Sequence, residues 1–253
     1  MTEHWQPSLT VEERLKLLVP PRLYVRYKAA KEWRRGEPEF RLLPLLMDRR
    51  RNAVDAGANK GTFTYAMARY ARHVYAFEPN PKMVAVLRRT AGRNVTVSDA
   101  ALSNASGTAE LRIPRYGKGS FSNQGASLST VKVSEDFASV TVSAKRLDDL
   151  GLADIGFLKI DVEGFEQEVI DGARELIARD RPTMLIELEE KHTRIPIERS
   201  LAAVEGLGYR GMFIDRASGA LSDLSRFDPD RHHRTREAGY VFNFIFFPTR
   251  SGR

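Results

Sequence analysis

The chain has 253 residues and contains no cysteine. Disulfide bonds, thiolate metal sites and enzymes with a cysteine nucleophile are therefore excluded. Long apolar runs are also lacking, and residues 1–7 do not show the basic and then apolar layout of a secretory signal. We therefore expect no membrane span and a cytoplasmic protein. The length suits one large α/β domain.

The net charge of +7 is concentrated at the start of the chain. Residues 1–51 hold twelve Lys or Arg against seven Asp or Glu, a surplus of five. Such a surplus attracts nucleic acid or acidic lipid, although a solvated helical face explains it equally well. No recognised RNA-binding module accompanies the charge, so we do not expect nucleic acid to be the partner.

Two glycines follow a short apolar run that ends in an acidic residue. The pattern is D-x-G-x-N-x-G, formed by Asp55, Gly57, Asn59 and Gly61. Glycine lacks Cβ, so the backbone can turn tightly there and approach a ligand, while the N–H groups of a following helix are free to donate. The pattern departs from the G-x-G-x-x-G of diphosphate sites, and the carboxylate of Asp55 favours a cationic or amine-bearing ligand.

A second acidic residue stands at the end of the next strand-like run. Glu78 follows residues 73–77 and lies 23 positions after Asp55. A carboxylate at this strand tip can accept hydrogen bonds from both ribose hydroxyls. Between the two runs, apolar residues recur at helical spacing, at Phe63, Met67 and Tyr70. We therefore predict a βαβ unit in which two carboxylates face one cleft and bind a nucleoside-bearing cofactor.

Strand and helix patterns alternate from residue 51 onward, as in a doubly wound sheet. The predicted strands are residues 53–55, 73–77, 95–98, 155–161, 183–188, 209–214 and 240–247. The last two are joined by a polar loop without helical periodicity, so we expect them to pair antiparallel. The sequence therefore predicts a seven-stranded, mostly parallel sheet with a reversed last strand.

Two regions depart from this alternation. The sequence pattern of residues 1–50 predicts a helical cap or lid, with helices over 10–18 and 23–33. The main domain is predicted to follow over 51–253. Residues 101–146 predict a β-rich insertion, with strand-like runs that include 127–133 and a mobile Gly- and Ser-rich loop over 116–125.

Four segments carry a family resemblance, and they are 54–61, 77–81, 100–107 and 158–166. The most specific is Lys159-Ile160-Asp161-Val162-Glu163-Gly164 followed by Glu166. Together they resemble the FkbM family of S-adenosylmethionine-dependent methyltransferases. The resemblance implies a Rossmann-like class I methyltransferase fold and O-methylation of a hydroxyl on a sugar, glycan or secondary metabolite. A homo-oligomer is compatible with these sequence features.

The resemblance also implies positions for the cofactor. The methionine part would be lined by Asp55, Gly57, Ala58, Asn59 and Gly61, the ribose would be held by Glu78, and the adenine would contact Asp99 and Ala100. In agreement, a carboxylate at Asp55 can accept from the α-amino group and one at Asp99 from the adenine amino group. Asp99 is also compatible with a simple turn start.

Three charged residues mark the candidate chemistry. If residues 157–163 are extended, period two places Lys159, Asp161 and Glu163 on one face at the carboxyl end of a central strand. Burying three charges is costly unless they pair or open onto a cleft. This favours a catalytic role over a structural ion-pair cluster. We predict Asp161 as a base or metal ligand and Glu163 as a group that orients substrate or base.

Further acidic residues follow at the next strand tip. Glu187 and Glu189, with His192, could complete an acidic rim that holds Mg²⁺ together with Asp161. His192 is an alternative base, so the identity of the base stays open at this point.

Two other functions compete with methyl transfer. An NAD-dependent oxidoreductase is disfavoured because the third glycine of its turn is missing and Asp55 carries a carboxylate. A catalytically inactive, methyltransferase-like binding module is disfavoured because Asp55, Glu78 and Asp161 are all present. The sequence does not identify the acceptor, the metal requirement or the oligomeric state.

Overall fold

The structure is a computed structural model, and it describes residues 18–116, 120–121, 125–133, 136–235 and 239–249. The helix predicted over 10–18 lies outside these ranges except for Leu18, as do residues 117–119 and 122–124 of the loop predicted to be mobile. No helix within the described ranges has both the length and the apolar composition that a membrane span requires.

The described strands form one large and one small sheet. In chain order they are β1 Asn52–Ala56, β2 Val74–Phe77, β3 Val95–Ser98, β4 Ala101–Leu102, β5 Gly107–Tyr116, β6 Ser120–Phe121, β7 Phe137–Lys145, β8 Ile155–Ile160, β9 Thr183–Glu187, β10 Tyr209–Ile214, β11 Leu221–Asp223 and β12 Asn243–Pro248. The large sheet has the order β11-β10-β12-β9-β8-β1-β2-β3, and the small sheet has the order β4-β7-β5-β6.

The large sheet confirms the predicted architecture. All seven predicted strands are present, and β12 pairs antiparallel with both β9 and β10. β1 pairs parallel with β2 and β8, and all five of its residues are buried. Such burial on both faces is typical of a central parallel strand. The short strand β11 was not predicted, and it adds an eighth member at the edge beside β10.

Helices cover both faces of this sheet. They are α1 Pro21–Arg35, α2 Leu43–Leu46, α3 Thr62–Met67, α4 Pro81–Thr90, α5 Glu166–Asp171, α6 Arg174–Asp180, α7 Glu190–Thr193, α8 Ile197–Glu205 and α9 Pro229–His232. Three 3₁₀ turns lie at Pro38–Leu42, Leu147–Leu150 and Leu224–Arg226. The start of α4 follows from its sequence, since Asn80 caps the helix by accepting from the Lys82 N–H and Pro81 opens it.

The helical segment that follows β8 is divided in two at Gly172. A Cβ at Gly172 would lie 2.0 Å from the carbonyl oxygen of Ser103. The chain that enters the insertion therefore passes directly against this backbone, and α5 and α6 meet there with a break.

The segment that precedes β1 packs on one face of the sheet. Phe40, Leu43 and Leu46 share a core cluster with Met67 of α3 and Phe157 of β8. Helix α1 lies over α3 and α4, with Val25 buried beneath it. The division of the chain into a cap over 1–50 and a main domain stays a prediction.

The β-rich insertion is present as the small sheet. β5 and β7 pair antiparallel over eight residues, from Gly107 with Ala144 to Pro114 with Phe137. The strand predicted over 127–133 is wrong, because only Ser127 forms a bridge, with Arg112, and the chain then turns. The hydroxyls of Ser127 and Ser129 accept from the N–H groups of Ser129 and Lys132, which favours a turn over a ladder.

Candidate active site

The turn after β1 requires its first glycine for two reasons. Gly57 has φ +80°, and a Cβ there would lie 1.7 Å from the carbonyl oxygen of Asp161. Asn59 also has a positive φ of 49°, a conformation that asparagine tolerates better than most residues. The turn therefore lies directly against the chain that leaves β8.

Glu78 is fixed by backbone donors from this turn and from its own loop. One carboxylate oxygen accepts from the Asn59 N–H at 2.7 Å, and the other accepts from the Asn80 N–H at 2.8 Å. The residue is buried, and burial raises the pKa of its carboxyl to about 7. Each oxygen keeps a lone pair for a ligand.

A cavity opens at the carboxyl ends of these strands, where open α/β sheets bind ligands. One side, the turn wall, consists of Gly57, Asn59, Phe77, Glu78 and Pro79. The opposite side, the acidic wall, contains Glu37, Asp161, Glu163 and Glu187. The insertion supplies mainly apolar lining, from Ala101, Leu102, Leu111, Ala126, Ser127 and Leu128. Val162 and Phe165 complete the lining.

Asp55 and Glu78 are predicted to face one cleft, but only Glu78 lines the cavity. Asp55 is fully buried and does not line the cavity. Its carboxylate accepts from the Thr64 hydroxyl at 2.6 Å and lies 3.9 Å from the Lys159 ammonium. Burial raises the pKa of Asp55, while Lys159 and Thr64 oppose that rise. Asp55 therefore supports the site from beneath.

Three other predicted cofactor residues also lie away from the cavity lining. Ala58 packs with Ala76 and Leu87 in a small core cluster. Asp99 is exposed and pairs with Arg88 at 2.9 Å. Gly61 has φ +84° and caps α3. None of these three is among the lining residues.

Ala100, which is predicted to contact the adenine, likewise does not line the cavity. Ala100 is buried, and its N–H donates to the Ser98 hydroxyl. The cavity is lined instead by the next two residues, Ala101 and Leu102. The segment that contains Ala100 therefore reaches the cavity through its next two residues, and a contact of Ala100 with adenine stays a prediction.

The buried Lys159 pairs with the half-buried Asp161 at the end of β8. The Lys159 ammonium lies 2.8 Å from an Asp161 carboxylate oxygen and 4.8 Å from the centre of the Phe63 ring. Burial alone would lower the pKa of Lys159, but Asp161 and Asp55 together raise it above its usual value. Asp161 lines the cavity, whereas Lys159 lies behind it.

Glu163 does not lie on the strand face with Lys159 and Asp161. β8 ends at Ile160, and Glu163 and Gly164 have φ values of +60° and +94°. Glu166 holds this loop by accepting from the N–H groups of Gly164 at 2.9 Å and Val162 at 3.2 Å. The extended conformation predicted through residue 163 is therefore wrong, and a loop carries Glu163 to the cavity.

Lys132 of the insertion binds Glu163 and was missed by sequence reasoning. Its ammonium lies 2.5 Å from a Glu163 carboxylate oxygen and also contacts Nε2 of His192. The Ser127 hydroxyl donates to the Glu163 carbonyl at 2.6 Å. The insertion is therefore attached to this loop at two points. Nothing in the sequence pattern links residue 132 to residue 163.

His192 is buried and does not line the cavity. Burial is the main cause that lowers the pKa of its imidazole to about 4, and Lys132 adds to the effect. The ring is therefore neutral at neutral pH. Glu189, predicted on the same rim, bonds Lys191 and Tyr240 instead of facing the cavity.

Glu187 and Glu37 complete the acidic wall. Burial raises the pKa of Glu187, and the charges of Asp161 and Glu163 raise it further. Burial also raises the pKa of Glu37 to about 7, although its carboxylate accepts from the Asn243 amide at 2.9 Å. Sequence reasoning missed Glu37, because Gly36 and Pro38 beside it indicate only a helix end.

One described group has the composition of a metal site, and it differs from the predicted one. Ligand atoms of Glu163, Glu187 and His192 lie within 4.8 Å of one another. Asp161, predicted to share a metal with Glu187, is not part of this group. The Lys132 ammonium already bonds Glu163 and His192. The arrangement therefore fits a divalent cation poorly, because the Lys132 ammonium already binds two of the three ligands and would repel a second cation.

Residues 55–240 match the family model described as Methyltransferase FkbM domain. No curated protein matches the chain. Methyltransferase FkbM from Methylobacillus flagellatus KT is similar in structure, with a TM-score of 0.50 and 16% identity over 90% of this chain. This chain spans only 55% of that one.

Two further solved structures are similar at lower scores. Precorrin-6y C5,15-methyltransferase from Geobacter metallireducens GS-15 has a TM-score of 0.45 and 15% identity, over 84% of this chain and 87% of that one. A TehB-like SAM-dependent methyltransferase from Corynebacterium glutamicum ATCC 13032 Kitasato has a TM-score of 0.47 and 10% identity, over 91% and 98%.

Proposed function

The chain belongs to the FkbM methyltransferase family, and from this premise we propose that it transfers a methyl group from S-adenosylmethionine to a hydroxyl of a sugar, glycan or secondary metabolite. The observation that carries the proposal is the position of Glu78. Its carboxylate is fixed by the N–H groups of Asn59 and Asn80 and lines the same cavity as Asp161 and Glu187.

The turn wall suits the nucleoside of the cofactor. Glu78 is oriented before any ligand arrives, and its remaining lone pairs can accept from two ribose hydroxyls. Gly57 presents only backbone to the cavity, because the space of its missing Cβ is taken by the Asp161 carbonyl. Asp55 supports this wall indirectly in our proposal, since one of its carboxylate oxygens accepts from Thr64 and the other lies buried 3.9 Å from the Lys159 ammonium.

The acidic wall suits the acceptor hydroxyl. S-adenosylmethionine on the turn wall would supply the methyl group and leave as the thioether, and a carboxylate of the acidic wall would take up the proton that the acceptor hydroxyl loses. Asp161 is our first choice as this base, because it faces the cavity and Lys159 fixes its orientation. Glu187 is the second choice, because its raised pKa makes it a stronger base when ionised.

The lining also limits the chemical class of the acceptor. Five carboxylates face the cavity, from Glu37, Glu78, Asp161, Glu163 and Glu187. No Lys, Arg or His is among the described lining residues. Carboxylates accept from hydroxyl and ammonium groups but repel phosphate and carboxylate. We therefore propose a neutral or amine-bearing polyol as acceptor, methylated by the chain's own carboxylates without a metal.

Calorimetric titration with S-adenosylmethionine, S-adenosylhomocysteine and NAD tests the cofactor. Glu78→Gln should weaken binding of the two sulfur nucleosides by about 10- to 100-fold, because charge-assisted hydrogen bonds to the ribose are lost. Glu198→Gln is the matched control and should bind as the parent chain does, since Glu198 is exposed on α8 and pairs with Arg234. Tight NAD binding without binding of either sulfur nucleoside would overturn the proposal.

A mass-shift screen tests the acceptor class. Matched sets should be offered, each containing a neutral sugar, its amino derivative and its phosphate ester, and products should be examined for the gain of one methylene mass. Methylation should occur on neutral or amino members. Preferential methylation of the phosphate esters would contradict the acceptor class while leaving the cofactor assignment intact. Cofactor binding without any turnover would favour an inactive binding module.

A further inference from the structure

Helix α1 exposes a set of apolar side chains that the proposed reaction does not use. Leu23 is 58% exposed, Tyr27 is 68% exposed and Trp33 is 46% exposed. Leu18 and Val19, just before the helix, are also exposed. Leu23 and Tyr27 are four residues apart and therefore lie on one face. Single exposed apolar residues are ordinary, but a group on consecutive turns marks an interaction surface.

The same helix is strongly basic. Its basic residues are Arg22, Arg26, Lys28, Lys31, Arg34 and Arg35. None of the six forms an ion pair with another described residue. The single acidic residue, Glu32, accepts from the Glu37 N–H, which directs its carboxylate toward the body of the protein. The outward side of α1 therefore carries positive charge with no described counter-charge.

The opposite side of α1 is fixed to the fold. Val25 is 1% exposed, and the helix packs over α3 and α4. Trp33 also lines a shallow groove with Phe40 and Tyr65, which continues the apolar surface. The helix is thus held by one face while it presents apolar and basic side chains on the other.

We propose that this outward face of α1 docks the protein on an anionic membrane surface. Helices that lie in the membrane interface combine apolar side chains with Lys and Arg, and basic residues add attraction to anionic lipid headgroups. Nucleic acid would use the cations and aromatic rings but not the exposed aliphatic residues Leu18, Val19 and Leu23. A second copy of the chain would bring two sets of six cations together, and like charges repel.

Vesicle co-sedimentation of the full chain tests this surface. The chain should bind vesicles of mixed phosphatidylcholine and phosphatidylglycerol, bind pure phosphatidylcholine weakly, and lose affinity as salt rises. The double change Arg26→Gln with Lys31→Gln should lower the partition coefficient about 30-fold, since each basic residue contributes about fivefold. At high salt the parent chain should keep part of its vesicle binding, and the double change Leu23→Ser with Tyr27→Ser should weaken that remaining part.

Arg199→Gln with Arg231→Gln is the matched control, because it removes the same charge from exposed sites on α8 and α9. It should bind vesicles almost as the parent chain does. S-adenosylmethionine binding, measured on every variant, shows whether the fold is kept. Equal loss in both charge variants, equal binding to both vesicle types, or tighter binding to single-stranded RNA would overturn the proposal. The proposal would also be overturned if the chain associates with itself and Leu23→Ser abolishes that association.

Discussion

The two sides of the cavity are built by different interactions. On the turn wall, Glu78 is oriented by backbone N–H groups from residues 2 and 19 positions away. On the acidic wall, Glu163 is bound by Lys132 and Glu37 by Asn243, and these partners lie 31 and 206 positions apart in the chain. One wall is therefore a local supersecondary unit, whereas the other is assembled by side chains from distant elements.

This difference explains the charge states of the two walls. Backbone donors stabilise Glu78 without adding a full charge, so burial still raises its pKa to about 7. The carboxylates of the acidic wall repel one another, and Asp161 and Glu163 raise the pKa of Glu187. We infer that the turn wall determines cofactor affinity and the acidic wall determines turnover. Three predictions test the two walls and the contact between them, in order of decreasing effect.

Asp161→Asn should give the largest effect. Turnover should fall by about 10²- to 10⁴-fold because the proposed base is lost, while S-adenosylmethionine affinity changes little. Initial rates of methyl transfer and calorimetry measure the two quantities separately. Asp171→Asn, on the exposed side of α5, is the control and should leave both unchanged. A parallel loss of cofactor affinity and turnover would show that the two walls are not separable in function.

Gly57→Ala should have the second largest effect, because Gly57 lies where the two walls meet. A Cβ there would be 1.7 Å from the Asp161 carbonyl oxygen, whereas one at Gly151 would meet nothing within 4 Å. Both residues have positive φ, at +80° and +61°. We expect Gly151→Ala to cost about 1 kcal/mol of unfolding free energy and Gly57→Ala about 3 kcal/mol, from added steric overlap. Urea denaturation measures both, and equal losses would contradict the close approach.

The smallest effect is a pH dependence of cofactor affinity. Because the pKa of Glu78 is about 7, its carboxyl is mostly protonated at pH 6 and mostly ionised at pH 8. Affinity for S-adenosylmethionine should rise about tenfold over this range, since the ionised form accepts the ribose hydroxyls better. Glu78→Gln should remove the dependence, and an equally steep profile in that variant would assign it to another group.

The raised pKa of Glu78 affects fold stability in the opposite direction, because the contribution of Glu78 to stability falls as pH rises. The folded state of the free protein holds the proton of Glu78 more tightly than the unfolded chain, whose carboxyl titrates near 4.5. Its stabilising contribution is therefore present below pH 4.5 and is lost as pH rises through about 7. Thermal unfolding of the parent chain and Glu78→Gln over this range provides a second measure of the same proton.

Sequence reasoning succeeded where the structure depends on short-range patterns. The parallel strands were found because burial on both faces favours continuous apolar runs, as residues 184–186 of β9 show. The turn at Gly57 and the carboxylate of Glu78 were found because one βαβ unit contains both. The position of Asp55 was misjudged, because a strand residue alternates between two sides and only packing decides which side is covered.

The chain by itself therefore determined the order of strands and helices, the glycine turn and the family, since all of these follow from apolar periodicity and residue types at short spacing. Only the tertiary structure decided which carboxylates share the cavity. The cavity brings Glu37 and Glu163 together with Asp161, and an ion pair joins Lys132 to Glu163. The physical reason is that a side chain's charge acts on whatever lies a few ångströms away in space, and separation along the chain does not record that distance.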